Sequence, residues 1–204
     1  MSEQTETLAY QRTNVYEAAD EALKREIFSF AEGYKTFLDL AKTEREACAE
    51  VIKEAEAQGY VPFTFGKKLR SGDKVYYNNR GKNLYLIRVG TENLAENGVR
   101  IVASHIDSPR IYLKQLPLYE KEGIAFGKTH YYGGLRKYKW AAMPLALHGV
   151  VARKDGSVVN VCVGEQTGDP VFYISDLLPH LAAKQNQKPL GQAIDGEDLN
   201  IWFG

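Results

Sequence analysis

The sequence predicts an α/β protein, and three observations carry that expectation. Apolar residues recur at helical spacing through the first third of the chain. After Gly59 the pattern changes to short apolar runs of strand length. Beyond Arg110 the chain becomes Gly- and Tyr-rich, and an Asp-Gly step separates two further apolar runs.

From Tyr16 to Tyr34, Ala19, Ala22, Leu23, Ile27 and Phe30 fall on one side of a helix. A second helix is expected from Thr43. Thr43 followed three residues later by Glu46 is a capping box, in which each side chain satisfies a backbone N–H that the helix start leaves without a partner. Ala47, Cys48, Val51, Ile52 and Ala55 form its apolar stripe, and Gly59 suits its C-terminal end. Glu44, Glu50, Lys53, Glu54 and Glu56 read as a solvated face.

Short strands are expected at Val61–Phe65 and Lys74–Tyr77, and stronger ones at Asn83–Val89 and Val99–Ser104, whose Leu, Ile and Val suit a central sheet. A change of texture near residues 110–115 places a domain boundary there. Leu145–Arg153 and Val158–Val163 read as strands joined by Lys154-Asp155-Gly156-Ser157, a hairpin signal. A short helix is expected over Asp176–Gln185, with Ser175 as its N-cap. Ile201-Trp202-Phe203 fits a strand cut off within a domain, or a strand docked onto its own sheet.

The 204 residues supply one good core or two small ones. Lys and Arg total 26 and Asp and Glu total 26, so no bulk charge draws the protein to nucleic acid or to an anionic membrane. No apolar run approaches a membrane span, and Met1–Thr13 is polar, without the apolar segment of a secretory signal. A cytoplasmic protein is expected. Cys48 and Cys162 lie in separate apolar surroundings and read as small core side chains. Lys67, Lys68, Arg70 and Lys74, interleaved with aromatics, read as a solvated strand edge. His-Glu-x-x-His, Gly-x-Ser-x-Gly and Walker A sequences are absent.

Chemistry concentrates in Ala103-Ser104-His105-Ile106-Asp107-Ser108-Pro109-Arg110. On an extended backbone, residues i and i+2 point to the same side, so His105 and Asp107 can share a pocket. The imidazole offers one neutral nitrogen to a metal, while the carboxylate takes the other ring N–H and fixes the tautomer. Taken alone, the tripeptide, short and common, better fits a strand-end His paired with Asp for structure. His130, before Tyr131-Tyr132-Gly133-Gly134, fits a turn supported by ring packing, with a substrate-contact loop as the rival reading. His148, within an apolar run, fits a satisfied core His, and His180 lies in Leu178-Pro179-His180-Leu181-Ala182.

Longer blocks surround the His-x-Asp tripeptide. Gly72-Asp73-Lys74-Val75-Tyr76 and Asn79-Arg80-Gly81-Lys82 precede it. Arg110-Ile111-Tyr112-Leu113-Lys114, His130-Tyr131-Tyr132-Gly133-Gly134, Pro144-Leu145-Ala146-Leu147-His148-Gly149 and Asp176-Leu177-Leu178-Pro179-His180-Leu181-Ala182 follow. Together they resemble the M18 family of zinc aminopeptidases, the aspartyl aminopeptidase-like enzymes, in its bacterial form, over nearly the whole chain. The resemblance implies the N-terminal part of a zinc-aminopeptidase-type α/β catalytic domain, residues 1–112. Part of a β-rich inserted dimerisation domain, residues 113–204, would follow.

It implies removal of N-terminal residues from peptide substrates, acidic ones in the best-known members, with two zinc ions in the complete enzyme. His105 would be a metal ligand and Asp107 its support. His180 would reach from one subunit of a homo-oligomer into its neighbour's site. The family's bridging Asp, its Glu base and adjacent Glu ligand, its further Asp ligand and its final His ligand have no counterparts in this sequence. The chain is therefore expected to be less than half of such an enzyme and inactive alone. The alternative is a non-catalytic dimerisation or interaction module derived from the same family.

Overall fold

The computed structural model describes residues 12–203. The polar residues 1–11 and the terminal Gly204, on which part of the expectations above falls, lie outside the described residues. The chain divides into two compact units, residues 1–91 and 92–204.

The first unit begins with a single helical turn, α1 (Val15–Ala18), and a long helix, α2 (Glu21–Leu40). The expected single helix over Tyr16–Tyr34 is thus interrupted at Ala19 and Asp20. Asp20 adopts an extended backbone and caps α2 by accepting from the Leu23 N–H at 2.7 Å, which fixes a fresh helix start there. Helix α3 (Glu44–Ala57) opens with the expected capping box: the Thr43 hydroxyl accepts from the Glu46 N–H, and the Glu46 carboxylate from the Thr43 N–H. Its end is a Schellman motif. Tyr60 N–H bonds the Ala55 carbonyl, Gly59 N–H bonds the Glu56 carbonyl, and Gly59 takes the left-handed conformation at φ 84°. Ala47, Cys48 and Ala55 are buried, whereas Val51 and Ile52 of the expected stripe are half-buried.

Three strands complete this unit: β1 (Val61–Pro62), β2 (Lys74–Asn79) and β3 (Asn83–Arg88). β1 pairs parallel with β2, and β2 pairs antiparallel with β3 through a turn at Arg80 and Gly81, both at positive φ. Val75 of β2 is buried, and the Arg45 guanidinium of α3 donates to the Arg80 carbonyl across this turn.

The second unit contains a one-turn helix, α4 (Leu94–Asn97), and then a segment that departs from expectation. Val99–Ser104 forms no strand. Ile101 and Val102 are 79% and 97% exposed, and no described strand pairs with the segment. An apolar run becomes a strand only where a neighbouring strand takes up its backbone hydrogen bonds.

A long hairpin follows, β4 (Arg110–Lys121) with β5 (Ile124–Tyr132), turning at Glu122 and Gly123. A bulge between Leu113 and Leu118 interrupts their register. β6 (Pro144–Leu145), β9 (Phe172–Tyr173) and β10 (Ile201–Phe203) join them in a five-stranded sheet of order β4-β5-β10-β9-β6. The Ile201-Trp202-Phe203 segment, as β10, pairs with β5 on one side and β9 on the other. Phe172, Ile174, Ile194, Leu199 and Ile201 form the buried cluster. Thr129, also buried, donates its hydroxyl to the Leu199 carbonyl.

The expected hairpin around Asp155-Gly156 is present as β7 (Leu147–Ala152) and β8 (Val158–Val163), with Gly156 at φ 85° and Asp155 accepting from the Ser157 N–H and hydroxyl. Cys162 corrects its reading as a core residue: it is exposed on β8, while Cys48 is buried. The helix expected over Asp176–Gln185 does not form. Pro179 has no N–H to give and disfavours a helical backbone at Leu178 before it, so short turns replace the helix, with Ala182 N–H bonding the Leu178 carbonyl and Asn186 N–H the Ala182 carbonyl. Ser175 is no N-cap. Asp176 instead accepts from the Leu177 N–H and the Gln185 amide. No helix among the described residues is long and apolar enough to cross a membrane.

Candidate metal centre

His105 and Asp107 lie in the irregular segment just before β4, and their side chains meet. Nδ1 of His105 is 2.7 Å from Oδ1 of Asp107 and 3.0 Å from the Asp107 carbonyl oxygen. Both partners accept, so in the neutral imidazole the proton belongs on Nδ1 and the lone pair on Nε2. The His105 side chain is 79% exposed and that of Asp107 only 23%, so Nε2 faces outward while the carboxylate is sheltered. Such a His is in the form a metal ligand requires.

Tyr132, at the end of β5, also reaches this carboxylate. The polar and negative influence of that carboxylate raises the phenol above its ordinary pKa. Sequence reasoning did not single out Tyr132. The available signal was the strand register, which sets Tyr132 opposite Arg110 just beyond the tripeptide. Arg110 stacks its guanidinium over the Tyr112 ring at 4.8 Å and the Tyr132 ring at 5.7 Å, hydrogen-bonds the Tyr112 hydroxyl, and donates to the Ser108 carbonyl at 3.3 Å.

The remaining histidines take separate places. His130 is in a strand rather than a turn, its ring stacked on Tyr112 with centroids 5.5 Å apart. It lines an open groove of about 670 Å³ together with Lys114, Lys128 and Glu197, where Lys114 and Glu197 form an ion pair. His148 on β7 places Nε2 3.0 Å from a Glu165 carboxylate oxygen. His180 lies exposed on the turn after Pro179, beside exposed Leu177, Leu178 and Leu181. No interaction joins it to His105.

The zinc implied by the resemblance finds a partial fit. The outward Nε2 of His105, backed by a carboxylate on Nδ1, suits one ligand position. Among the described residues, no three His, Cys, Asp or Glu side chains gather closely enough to hold a metal ion. A catalytic zinc takes about three protein ligands.

The profile of the family described as Aminopeptidase I zinc metalloprotease (M18) matches residues 37–201. A Clostridium acetobutylicum protein, probable M18 family aminopeptidase 1, is 49% identical over 195 residues, spanning 94% of this chain and 42% of its own length. A protein of the same name from Borrelia garinii is 40% identical over 194 residues, with 95% and 42% covered. The crystal structure of an M18 family aminopeptidase from Thermotoga maritima matches with a TM-score of 0.87 at 37% identity, covering 96% of this chain and 42% of that one. The chain thus spans about 42% of the length of these curated relatives. With the profile covering most of its length and its mixed α/β fold shared with a solved member, the chain belongs to the Aminopeptidase I zinc metalloprotease (M18) family.

Proposed function

We propose that His105 supplies the first protein ligand of a two-zinc centre in a cytoplasmic aminopeptidase that removes N-terminal residues, acidic ones foremost, from peptides. The observation that supports this is the grip of the Asp107 carboxylate on Nδ1 of His105, which leaves the Nε2 lone pair free to bind metal. Zinc in such a site supplies a Lewis acid and an activated water. Asp107 keeps the imidazole in the metal-binding tautomer and strengthens Nε2 as a donor. Residues 1–112 belong to the catalytic domain and residues 113–204 to the inserted domain through which subunits associate. The exposed Leu177, Leu178 and Leu181 around His180 suit a surface that another subunit covers. From there His180 donates a hydrogen bond to the scissile carbonyl oxygen in the neighbouring subunit's site. One imidazole ligand does not hold a catalytic zinc, so the 204 residues alone turn over no peptide.

The test joins these 204 residues to the remaining length of the Clostridium acetobutylicum relative. In that chimera His105→Ala is expected to lower zinc content and abolish aminopeptidase activity. His180→Ala should lower kcat by about a hundredfold or more with zinc content unchanged. Mixing the two inactive variants should restore part of the activity, through sites that combine an intact His105 with a neighbour's intact His180. Full zinc content in His105→Ala refutes the ligand assignment, and no recovery after verified subunit exchange refutes the role of His180.

A further inference from the structure

We propose that the groove over β5 binds one carboxylate of a short extended peptide, through a Lys128 ammonium whose charge the groove leaves in surplus. That the ligand is a peptide rests on the reading of the chain as part of a peptidase. The site itself goes beyond that reading, since it uses no zinc and no residue of the candidate metal centre.

The groove follows from a break in strand pairing. β4 and β5 are in register at Leu113 with Thr129 and again at Leu118 with Gly127, so residues 114–117 of β4 stand against Lys128 alone. Extra residues in one strand bend it away from its partner, and here they leave an open groove of about 670 Å³, a volume within the range of ligand sites. β5 lies between β4 and β10 in the sheet. Lys128 and His130 of β5 therefore line the middle of the groove, with Gln115 and Leu116 of the bulge on one side and Glu197 and Asn200, just before β10, on the other. The charges there do not balance. Lys114 reaches across to the Glu197 carboxylate at 2.7 Å. Lys114 first, and Lys128 after it, hold the Glu197 carboxyl below its ordinary value, so one carboxylate answers two ammonium groups. Lys128 is exposed, forms no ion pair among the described residues, and lies against the Tyr119 ring at 5.5 Å. An ammonium over a ring face keeps its N–H donors for an acceptor. An incoming carboxylate supplies the missing negative charge. Leu116, 88% exposed, offers apolar cover to the ligand. The Gln115 and Asn200 amides, on opposite sides, carry the donors and acceptors that a peptide main chain needs.

The test is the binding of acetylated alanine pentapeptides, which offer no free N-terminus to trim, to the whole 204-residue chain in the presence of chelator. Proton–nitrogen NMR follows the titration at about 0.02 M salt, where screening is weak. One peptide carries a central aspartate and an amidated C-terminus, a second a free C-terminal carboxylate, and a third neither. A charged peptide is expected to bind about three- to tenfold more tightly than the neutral one, the gain from a single partly screened ion pair. Which of the two gains tells whether the carboxylate comes from a side chain or from a C-terminus. Lys128→Gln should erase the gain. Glu197→Gln should enlarge it, because Lys114 is then released as well. Lys154→Gln, in the exposed turn between β7 and β8, should change nothing. Equal binding of all three peptides, no binding of any, a gain that survives Lys128→Gln, or an equal loss in Lys154→Gln overturns the inference. Should Lys128→Gln not fold, Glu197→Gln decides: tighter binding of the charged peptide supports the site, and unchanged or weaker binding overturns it. None of these outcomes bears on the zinc content of His105→Ala, so a failure of the groove and a failure of the metal-ligand reading are told apart.

Discussion

Two glycines in the second unit allow the cost of close packing to be measured with one chemical change. Gly127 lies in β5 and Gly149 in β7, neither with a left-handed backbone. A Cβ on Gly127 would stand 2.6 Å from Cε2 of Phe203 and 2.9 Å from Cγ1 of Ile201. Carbon atoms rest at about 3.5–4.0 Å, so the overlap is roughly an ångström on the Phe203 side. Ile201 belongs to the buried cluster and cannot move freely, whereas the half-buried Phe203 ring yields only by giving up its edge-to-face contact with Phe172. Overpacking of this kind costs about 1–3 kcal/mol. Gly127→Ala is therefore expected to destabilise by that amount. A Cβ on Gly149 meets nothing within 4 Å. There Ala should stabilise by about 0.5 kcal/mol, because the unfolded chain loses some of glycine's freedom. Urea unfolding followed by tryptophan fluorescence suits the first variant, since Trp202 sits in β10 against Phe126 and opposite Tyr173. Circular dichroism covers the second. Equal effects of the two substitutions, or a stabilising Gly127→Ala, would refute the packing argument.

Other parts of the fold give independent checks. Thr43→Ala removes half of the capping box of α3 and should cost about 1 kcal/mol, seen as an earlier loss of helical circular dichroism on heating. Asp169 accepts from the Gly164 and Gln166 N–H groups, and these bonds hold its carboxyl below the ordinary value. A lowered folded pKa means stability present above the ordinary carboxylate pKa of about 3.9 and lost as pH falls through the folded value. The melting-temperature gap between wild type and Asp169→Asn should therefore be open at about pH 7 and close as the medium is acidified toward about pH 2. A gap that persists unchanged in acid contradicts this.

Local chemistry was legible in the sequence. The capping box of α3, its glycine end and the Asp155-Gly156 hairpin each depend on residues a few positions apart, and each is in place. What depended on distant partners was not. Val99–Ser104 has strand composition, yet composition does not say whether another strand lies beside it. The β4–β5 hairpin turns at Glu122-Gly123, which lacks the Asn or Asp that usually marks such turns, so its strands read only as irregular Tyr-rich chain. The helix expected after Ser175 ignored Pro179, whose ring works against it. The same division runs through the candidate site. His105 and Asp107 are neighbours in sequence and visible as a pair. Tyr132 comes opposite Arg110, just beyond them, only through the pairing of β4 with β5.

The position of β10 also bears on how the protein is made. It follows the other four strands of its sheet in chain order, yet it occupies the middle of that sheet. On the ribosome β4 and β5 can close as a hairpin early, but the inner edge of β5 then waits for Ile201–Phe203. At about 5–20 residues per second, the stretch between Tyr132 and Ile201 takes roughly 3–14 s to synthesise. During that interval a bare strand edge is available to any other extended segment nearby. The sheet then closes in one late step that joins β5 to β9, so this sheet is most prone to mispairing just before β10 emerges.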